Sequence, residues 1–394
     1  MKSLAVVTAT RAEYGLLSPV IKELRKYEND SFKVELIVTG THLSHEYGMT
    51  IDEIDDRIDK KIPISVKSDI ETDISNNQAE ALVKFTELFT TEKYNAVMLL
   101  GDRYEMLAIA IAAGNTHTPI FHLCGGDTTE GAIDEWIRHS ITKIAYLHFV
   151  TNESSRKRVI QLGEDPERVF NYGSTSIDNI MTISAMSKKE ALESIGLDDC
   201  KYALCTYHPV TMDIDCVDEY VKEFINAIKA FPDIQFIITK ANADQGGARI
   251  NEILDKAAKE VDNIYVYTSL GSHRYLSLMR YAEFVLGNSS SGIVEAPALN
   301  VPTVNIGDRQ RGRLQSESII NCGTSTKGIT EAIFIATSME HKAICSTIVS
   351  PYGDGRAAKR IAAKAIQTVL YGNINLKKSF YCLAIYENDK NQYM

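Results

Sequence analysis

The residues best suited to chemistry in this chain sit directly after apolar, strand-like runs. After "VMLL" comes "GDRYE", giving Asp102, Arg103 and Glu105, and after "SLAVVT" come Thr10, Arg11 and Glu13. After "YALCTY" come His208 and Pro209, after "FVLG" comes "NSSSGIVEAP", and after "TVNIG" comes "DRQRGR" with Arg309. The stretch "GNSSSGIVEAP" (287–297) carries the strongest phosphate signal. A strand ends at Gly287 and small hydroxyl residues open a helix, whose free N–H groups and dipole favour an anion by about 0.3–1 kcal/mol. Ser289 and Ser290 add hydroxyl donors. Taken alone the loop reads as an ordinary serine N-cap. With Arg11, Arg103 and Arg309 at neighbouring strand ends it reads as part of a diphosphate site, because arginine gives bidentate, permanently charged contacts. Glu295 on the same helix suits a ribose hydroxyl and, equally, a solvated helix face.

Asp102 and Asp134 are the carboxylates for proton transfer. Asp102 follows a wholly apolar strand, so desolvation at the sheet end can tune it; its structural alternative is to cap the helix beginning near Tyr104. Asp134 and Arg138 are four apart, which on one helix also makes a stabilising ion pair. His208, before a proline, and His42, in "TGTHLSHEYG", carry little weight singly. "GxGxxG" and the Walker lysine motif are both lacking, against a nicotinamide enzyme and against a kinase.

The elements that must position these groups alternate from end to end. Strand-like runs at 3–8, 33–39, 96–100, 119–123 and 147–150 are separated by stretches of helical apolar spacing. The pattern restarts at 202–207, 234–239, 264–267, 284–287 and 302–307. Near-continuous apolar strands between helices mean a parallel sheet covered on both faces. In such sheets ligands meet the carboxyl ends of strands, near a switch in strand order. The expected architecture is therefore two doubly wound α/β domains facing across a cleft, 1–184 and 185–372, followed by a polar tail, 373–394. The polar stretch 184–200 reads as a hinge, and the last helix, near 355–371, could cross back to the first domain.

The chain has 394 residues, 44% hydrophobic and 24% charged, with a net charge of -10. That charge argues against nucleic acid as a partner, whose footprint is a basic face. No apolar run is long enough to span a bilayer. Seven scattered cysteines form no Cys-x-x-Cys pair and no zinc spacing, which suits reduced thiols in a cytoplasm and no metal cofactor.

Together "TATRAEYG", "GDRYEMLA", "GGDTTEGAIDE", "IRHSITK", "HPVT", "GNSSSG" and "NIGDRQRGR" closely resemble the hydrolysing UDP-N-acetylglucosamine 2-epimerases of sialic acid biosynthesis. The resemblance implies a GT-B fold with the nucleotide-sugar in the cleft, no cofactor, and release of UDP and N-acetylmannosamine. It implies that Arg11, Arg103, His208, Asn242, Ser289, Ser290, Glu295 and Arg309 hold UDP. It places Asp102, Asp134, Arg138 and His42 at the sugar. Relatives in that family form dimers or tetramers, so it further implies a homodimer or homotetramer. Non-hydrolysing epimerases have a proline and a lysine in the first loop, where this chain has Ala12 and, at or beside the second position, Leu16. Animal members carry a glutamate before the glycine pair, where this chain has Cys124, a poor group for moving protons at carbon. Either Asp127 or Glu130 then covers that role, or the base is Asp102 or Asp134. The same chemistry on UDP-N,N'-diacetylbacillosamine is the neighbouring alternative.

Overall fold

The computed structural model describes residues 1–46, 48–66, 70–129, 133–209, 216–241 and 246–383. They form two compact α/β units, each around one parallel sheet. The first unit comprises Met1–Asp127, Ile133–Asn179 and Tyr352–Met394; the second comprises Thr128–Ala132 and Ile180–Pro351.

In the first unit the strands are β1 (Lys2–Thr8), β2 (Phe32–Val38), β3 (Lys60–Lys61), β4 (Ala96–Leu100), β5 (Ile120–Leu123), β6 (Leu147–Val150) and β7 (Val169–Asn171). Their spatial order is β3-β2-β1-β4-β5-β6-β7, all parallel. Chain direction across the sheet therefore reverses between β1 and β4. Both faces are buried, as the strand composition requires. Leu4 and Val6 of β1 point into one apolar cluster, and Ala5 and Val7 into the other. Each fully buried leucine or valine of this kind contributes about 1.5–3 kcal/mol.

The second unit repeats the plan with β8 (Tyr202–Thr206), β9 (Gln235–Thr239), β10 (Ile264–Tyr267), β11 (Phe284–Gly287), β12 (Thr303–Ile306) and β13 (Ile319–Cys322). The order is β10-β9-β8-β11-β12-β13, with the reversal between β8 and β11. Ala203 and Cys205 pack on one face and Tyr202 and Leu204 on the other. Every strand expected from the apolar runs is present. The strands that sequence reasoning missed are the edge or near-edge strands β3, β7 and β13, which are short and only partly buried, so they lack the continuous apolar signature.

Two segments depart from a simple reading in order. The helix Ala357–Tyr371 packs against the helix Arg11–Arg25 of the first unit. Its first N–H groups are capped by Asp178, which accepts from Ala357 N at 3.1 Å and Ala358 N at 2.9 Å. The stretch 184–200, expected to act as a hinge, contains the capped helix Lys188–Glu193, and its Ala191 and Leu192 are fully buried. Lys189, Glu190 and Glu193 of that helix face solvent.

Candidate active site

The chemistry-bearing residues collect at the carboxyl ends of strands beside the two switch points, where open α/β sheets receive ligands. In the first unit the loop after β1 is built as a helix start. Thr10 caps the helix Arg11–Arg25 by accepting from Glu13 N at 3.3 Å. Glu13 returns the favour: its Oε2 accepts from Ala9 N at 2.8 Å and Thr10 N at 3.1 Å. This capping box takes the place of the glycines that a dinucleotide loop would use. Arg11, at the first helical position, is exposed and lies 3.7 Å from Glu53.

Beside it, β4 delivers Asp102, Arg103 and Glu105. Asp102 does not cap the following helix; that helix is Tyr104–Asn115, and its N-cap is Arg103 with no side-chain capping bond. Asp102 instead forms an ion pair with Arg138 Nη2. Arg138 lies on the helix Ile133–Ile144 and is 1% exposed, so its charge must be met inside the protein. Its Nη1 donates to Glu135 at 3.1 Å and to the carbonyl of Asp127 at 2.8 Å. Besides Asp134, which i,i+4 spacing sets one turn away, Arg138 is joined to Asp102 and Glu135. Asp134 is exposed on the first turn of the helix, where the dipole favours a carboxylate.

Asp127 is held where it stands. One carboxylate oxygen accepts from Thr151 Oγ1 at 3.0 Å, Ser155 Oγ at 2.5 Å and Asn152 Nδ2 at 3.4 Å. Cys124, at φ +63°, is partly buried just before the glycine pair. His42 is fully buried, with its ring nitrogens engaged by Thr8 Oγ1 at 3.1 Å and Thr50 Oγ1 at 2.9 Å. Burial pushes its pKa down to about 4, so the ring is neutral behind the β1 loop. Sequence reasoning missed His122 on β5, whose Nε2 lies 2.9 Å from the carbonyl of Gly101 and so ties down the residue before Asp102.

The second unit gathers the other anion candidates. His208 N donates to Asn288 Oδ1 at 2.7 Å and Asn288 Nδ2 donates back to His208 O at 2.8 Å. The Asn288 carbonyl in turn accepts from Arg309 Nη1 at 3.0 Å and Gln310 Nε2 at 2.8 Å. Loops after β8, β11 and β12 are thereby locked together around one asparagine. Asn288 and Gln310 were visible only as neighbours of the serines and of Arg309. Ser289 is the N-cap of the helix Ser290–Ala298 and accepts from Ser291 N at 3.3 Å. Glu295 lies half-buried on that helix. Tyr275, also missed, faces Ser291, Thr206 and Glu295, and burial pushes its hydroxyl up to about 12.

Among the described residues His208 Nδ1 is buried without a hydrogen-bond partner. Burial first, and the Arg309 charge second, hold its pKa down to about 3. A neutral imidazole with an open nitrogen beside a guanidinium suits a polar, negatively charged ligand. Asn242 lies outside the described residues, as does Glu130. The candidate anion ligands thus divide between the units, with Arg11 and Arg103 in the first and His208, Ser289, Ser290, Glu295 and Arg309 in the second.

Gly287 shows how tightly the cradle is built. Its φ is +136°, and a Cβ there would lie 2.0 Å from the Thr206 carbonyl oxygen on β8. Gly287→Ala is expected to destabilise the second unit by more than about 1 kcal/mol, and thermal melts check that effect.

Two parallel, doubly wound units of this kind make a GT-B-like fold. Residues 23–366 match the family model described as UDP-N-acetylglucosamine 2-epimerase, and the chain belongs to that family. It is 41% identical over 325 residues to the GDP/UDP-N,N'-diacetylbacillosamine 2-epimerase (hydrolyzing) of Campylobacter jejuni subsp. jejuni, covering 81% of this chain and 84% of that one. It is 36% identical over 356 residues to polysialic acid biosynthesis protein P7 of Escherichia coli, covering 89% and 90%. Its fold is shared with the UDP-GlcNAc 2-epimerase of Neisseria meningitidis bound to UDP-GlcNAc, at a TM-score of 0.80 and 20% identity, over 93% of this chain and 100% of that chain. Among the described residues no helix is long and apolar enough to cross a membrane.

Proposed function

We propose that this enzyme hydrolyses UDP-N-acetylglucosamine with inversion at C2, releasing UDP and N-acetylmannosamine. The observation that carries the reading is Asp102, a part-exposed carboxylate at the β1/β4 switch point, held from behind by the buried Arg138. A carboxylate so fixed can take the proton from C2 while the C1–O bond to UDP breaks on the opposite face. The first step gives 2-acetamidoglucal and UDP. In the second, water supplies a hydroxyl to C1 and a proton reaches the other face of C2, giving the manno product. Asp134 and Asp127 are the candidates for the second proton transfer, and such transfers contribute about 10²–10⁴-fold each. Arg11, Arg103, Arg309 and the helix start at Ser290 stabilise the charge that builds on the departing diphosphate. His208, Asn242 and Glu295 complete the UDP contacts in this reading, and His42 orients the β1 loop at the sugar.

The 41% identity to the Campylobacter enzyme supports a second reading, in which UDP-N,N'-diacetylbacillosamine undergoes the same elimination and hydration. NMR of the products formed from each sugar nucleotide in heavy water tests both. UDP-N-acetylglucosamine is expected to yield N-acetylmannosamine deuterated at C2. Turnover of the diacetyl sugar alone would move the assignment to the second reading. A product without deuterium at C2 would exclude a solvent-exchanging acid or base.

A further inference from the structure

The buried acids nearest the candidate site have no part in the chemistry above. Glu13 is 5% exposed and Glu105 is 0% exposed. Glu13 Oε2 serves the capping box, while Glu13 Oε1 is buried without a hydrogen-bond partner. Glu105 Oε1 accepts from Arg103 Nε at 2.8 Å, while Glu105 Oε2 is likewise buried and unpartnered. Arg103 also lies over the Tyr104 ring, 5.3 Å from its centre. The contact with Glu105 uses only Nε, which leaves the terminal nitrogens of a part-exposed guanidinium as donors.

We propose that Glu105 and Glu13 are positioning residues for Arg103: Glu105 fixes the guanidinium through Nε so that its terminal nitrogens meet the diphosphate, and Glu13 sets the local charge. This rests on the reading that Arg103 meets UDP. Burial first, and the Glu105 charge second, push Glu13 up to about 8, opposed by the Arg103 charge and by the Ala9 and Thr10 N–H groups. Near neutral pH Glu13 therefore carries a proton, which sits on Oε1 because Oε2 accepts two backbone bonds. The Arg103 charge is then opposed once, by Glu105, and a second time only when Glu13 ionises. The charged groups that act on Glu13 are Glu105 and Arg103, both on the neighbouring β4 loop and helix start.

The test is the dissociation constant for UDP, by calorimetry, between pH 6.5 and 9, in wild type, Glu105→Ala, Glu105→Gln and Glu13→Gln. A glutamine at 105 keeps an oxygen for Arg103 Nε; an alanine does not. Glu105→Ala is expected to weaken UDP binding by about tenfold or more, the scale of one charge-assisted bond, and to raise KM more than it lowers kcat. Glu105→Gln restores binding to wild-type strength or better. Wild-type binding weakens as pH rises through about 8, and Glu13→Gln removes that dependence. If Glu105 only blunted the positive charge, alanine would tighten binding as glutamine does, and the proposal would fall. It also falls if Glu13→Gln keeps the wild-type pH profile, a result that stands even if Glu105→Ala does not fold. Failure of wild-type protein to bind UDP at any pH overturns the proposed function itself, whereas binding unaffected by Arg103→Ala overturns only the role of this cluster.

Discussion

Arg138→Met is expected to lower the melting temperature by about 6–12 °C and to reduce turnover at least about 10²-fold. Arg138 is the largest fully buried side chain outside the aromatic and aliphatic core. Among the described residues it donates to the carboxylates of Asp102 and Glu135 and to the carbonyl of Asp127. Methionine fills similar space but takes those three hydrogen bonds away. Removing one partner of a buried pair costs about 3–5 kcal/mol. The lower end applies, because the Asp102 and Glu135 side chains are 26% and 28% exposed and water can reach them. About 3 kcal/mol in a domain of this size corresponds to about 2–4 °C for each kcal/mol. In the proposed mechanism the loss of turnover follows from geometry, since a carboxylate freed from its holder would no longer be fixed toward one carbon. Arg138→Lys keeps the charge but not the fork of donors, so it should fall between. Differential scanning calorimetry and a UDP-release assay decide the matter; an unchanged melting temperature would show that the pair contributes nothing.

Asp102→Asn should separate chemistry from folding. The amide has the same shape and retains an oxygen toward Arg138, so the melting temperature should stay within a few degrees. A neutral amide cannot accept the C2 proton, and turnover should fall by about 10²–10⁴-fold. UDP affinity should change by less than about threefold, because Asp102 is not among the anion ligands. Loss of deuterium incorporation at C2 should accompany the loss of UDP release. Asp134→Asn, assayed in parallel, assigns the second proton. A fully active Asp102→Asn enzyme would remove Asp102 from the mechanism and leave Asp127, Glu130 and Asp134 as candidates.

Much of this molecule was legible in its residues because parallel strands buried on both faces must be written as apolar runs, as Leu4 to Val7 and Ala96 to Leu100 are. Once those runs are located, the rule that ligands meet strand ends selects Arg11, Asp102, Ser289 and Arg309 without coordinates. The capping box of Thr10 and Glu13 is also local, since both partners lie within one turn. What lay beyond reach was any partnership set by strand order. Asp102 and Arg138 are 36 residues apart, and they meet because β4 lies beside β5 and the helix that follows β5 packs against the helix that follows β4. Local spacing could offer only neighbours on the same helix, Asp134 and Glu135. The same holds for His208 and Asn288, 80 residues apart and joined across the switch point between β8 and β11. Burial of His42 depends on Thr8 and Thr50 closing around its ring, which no period in the sequence announces. A chain of side-chain types thus determined which elements form and which of their ends carry charge, since both follow from solvation and period along the backbone. Which charges face one another, and which of them are dry enough to change their protonation, was decided only when the order of the strands brought distant ends together.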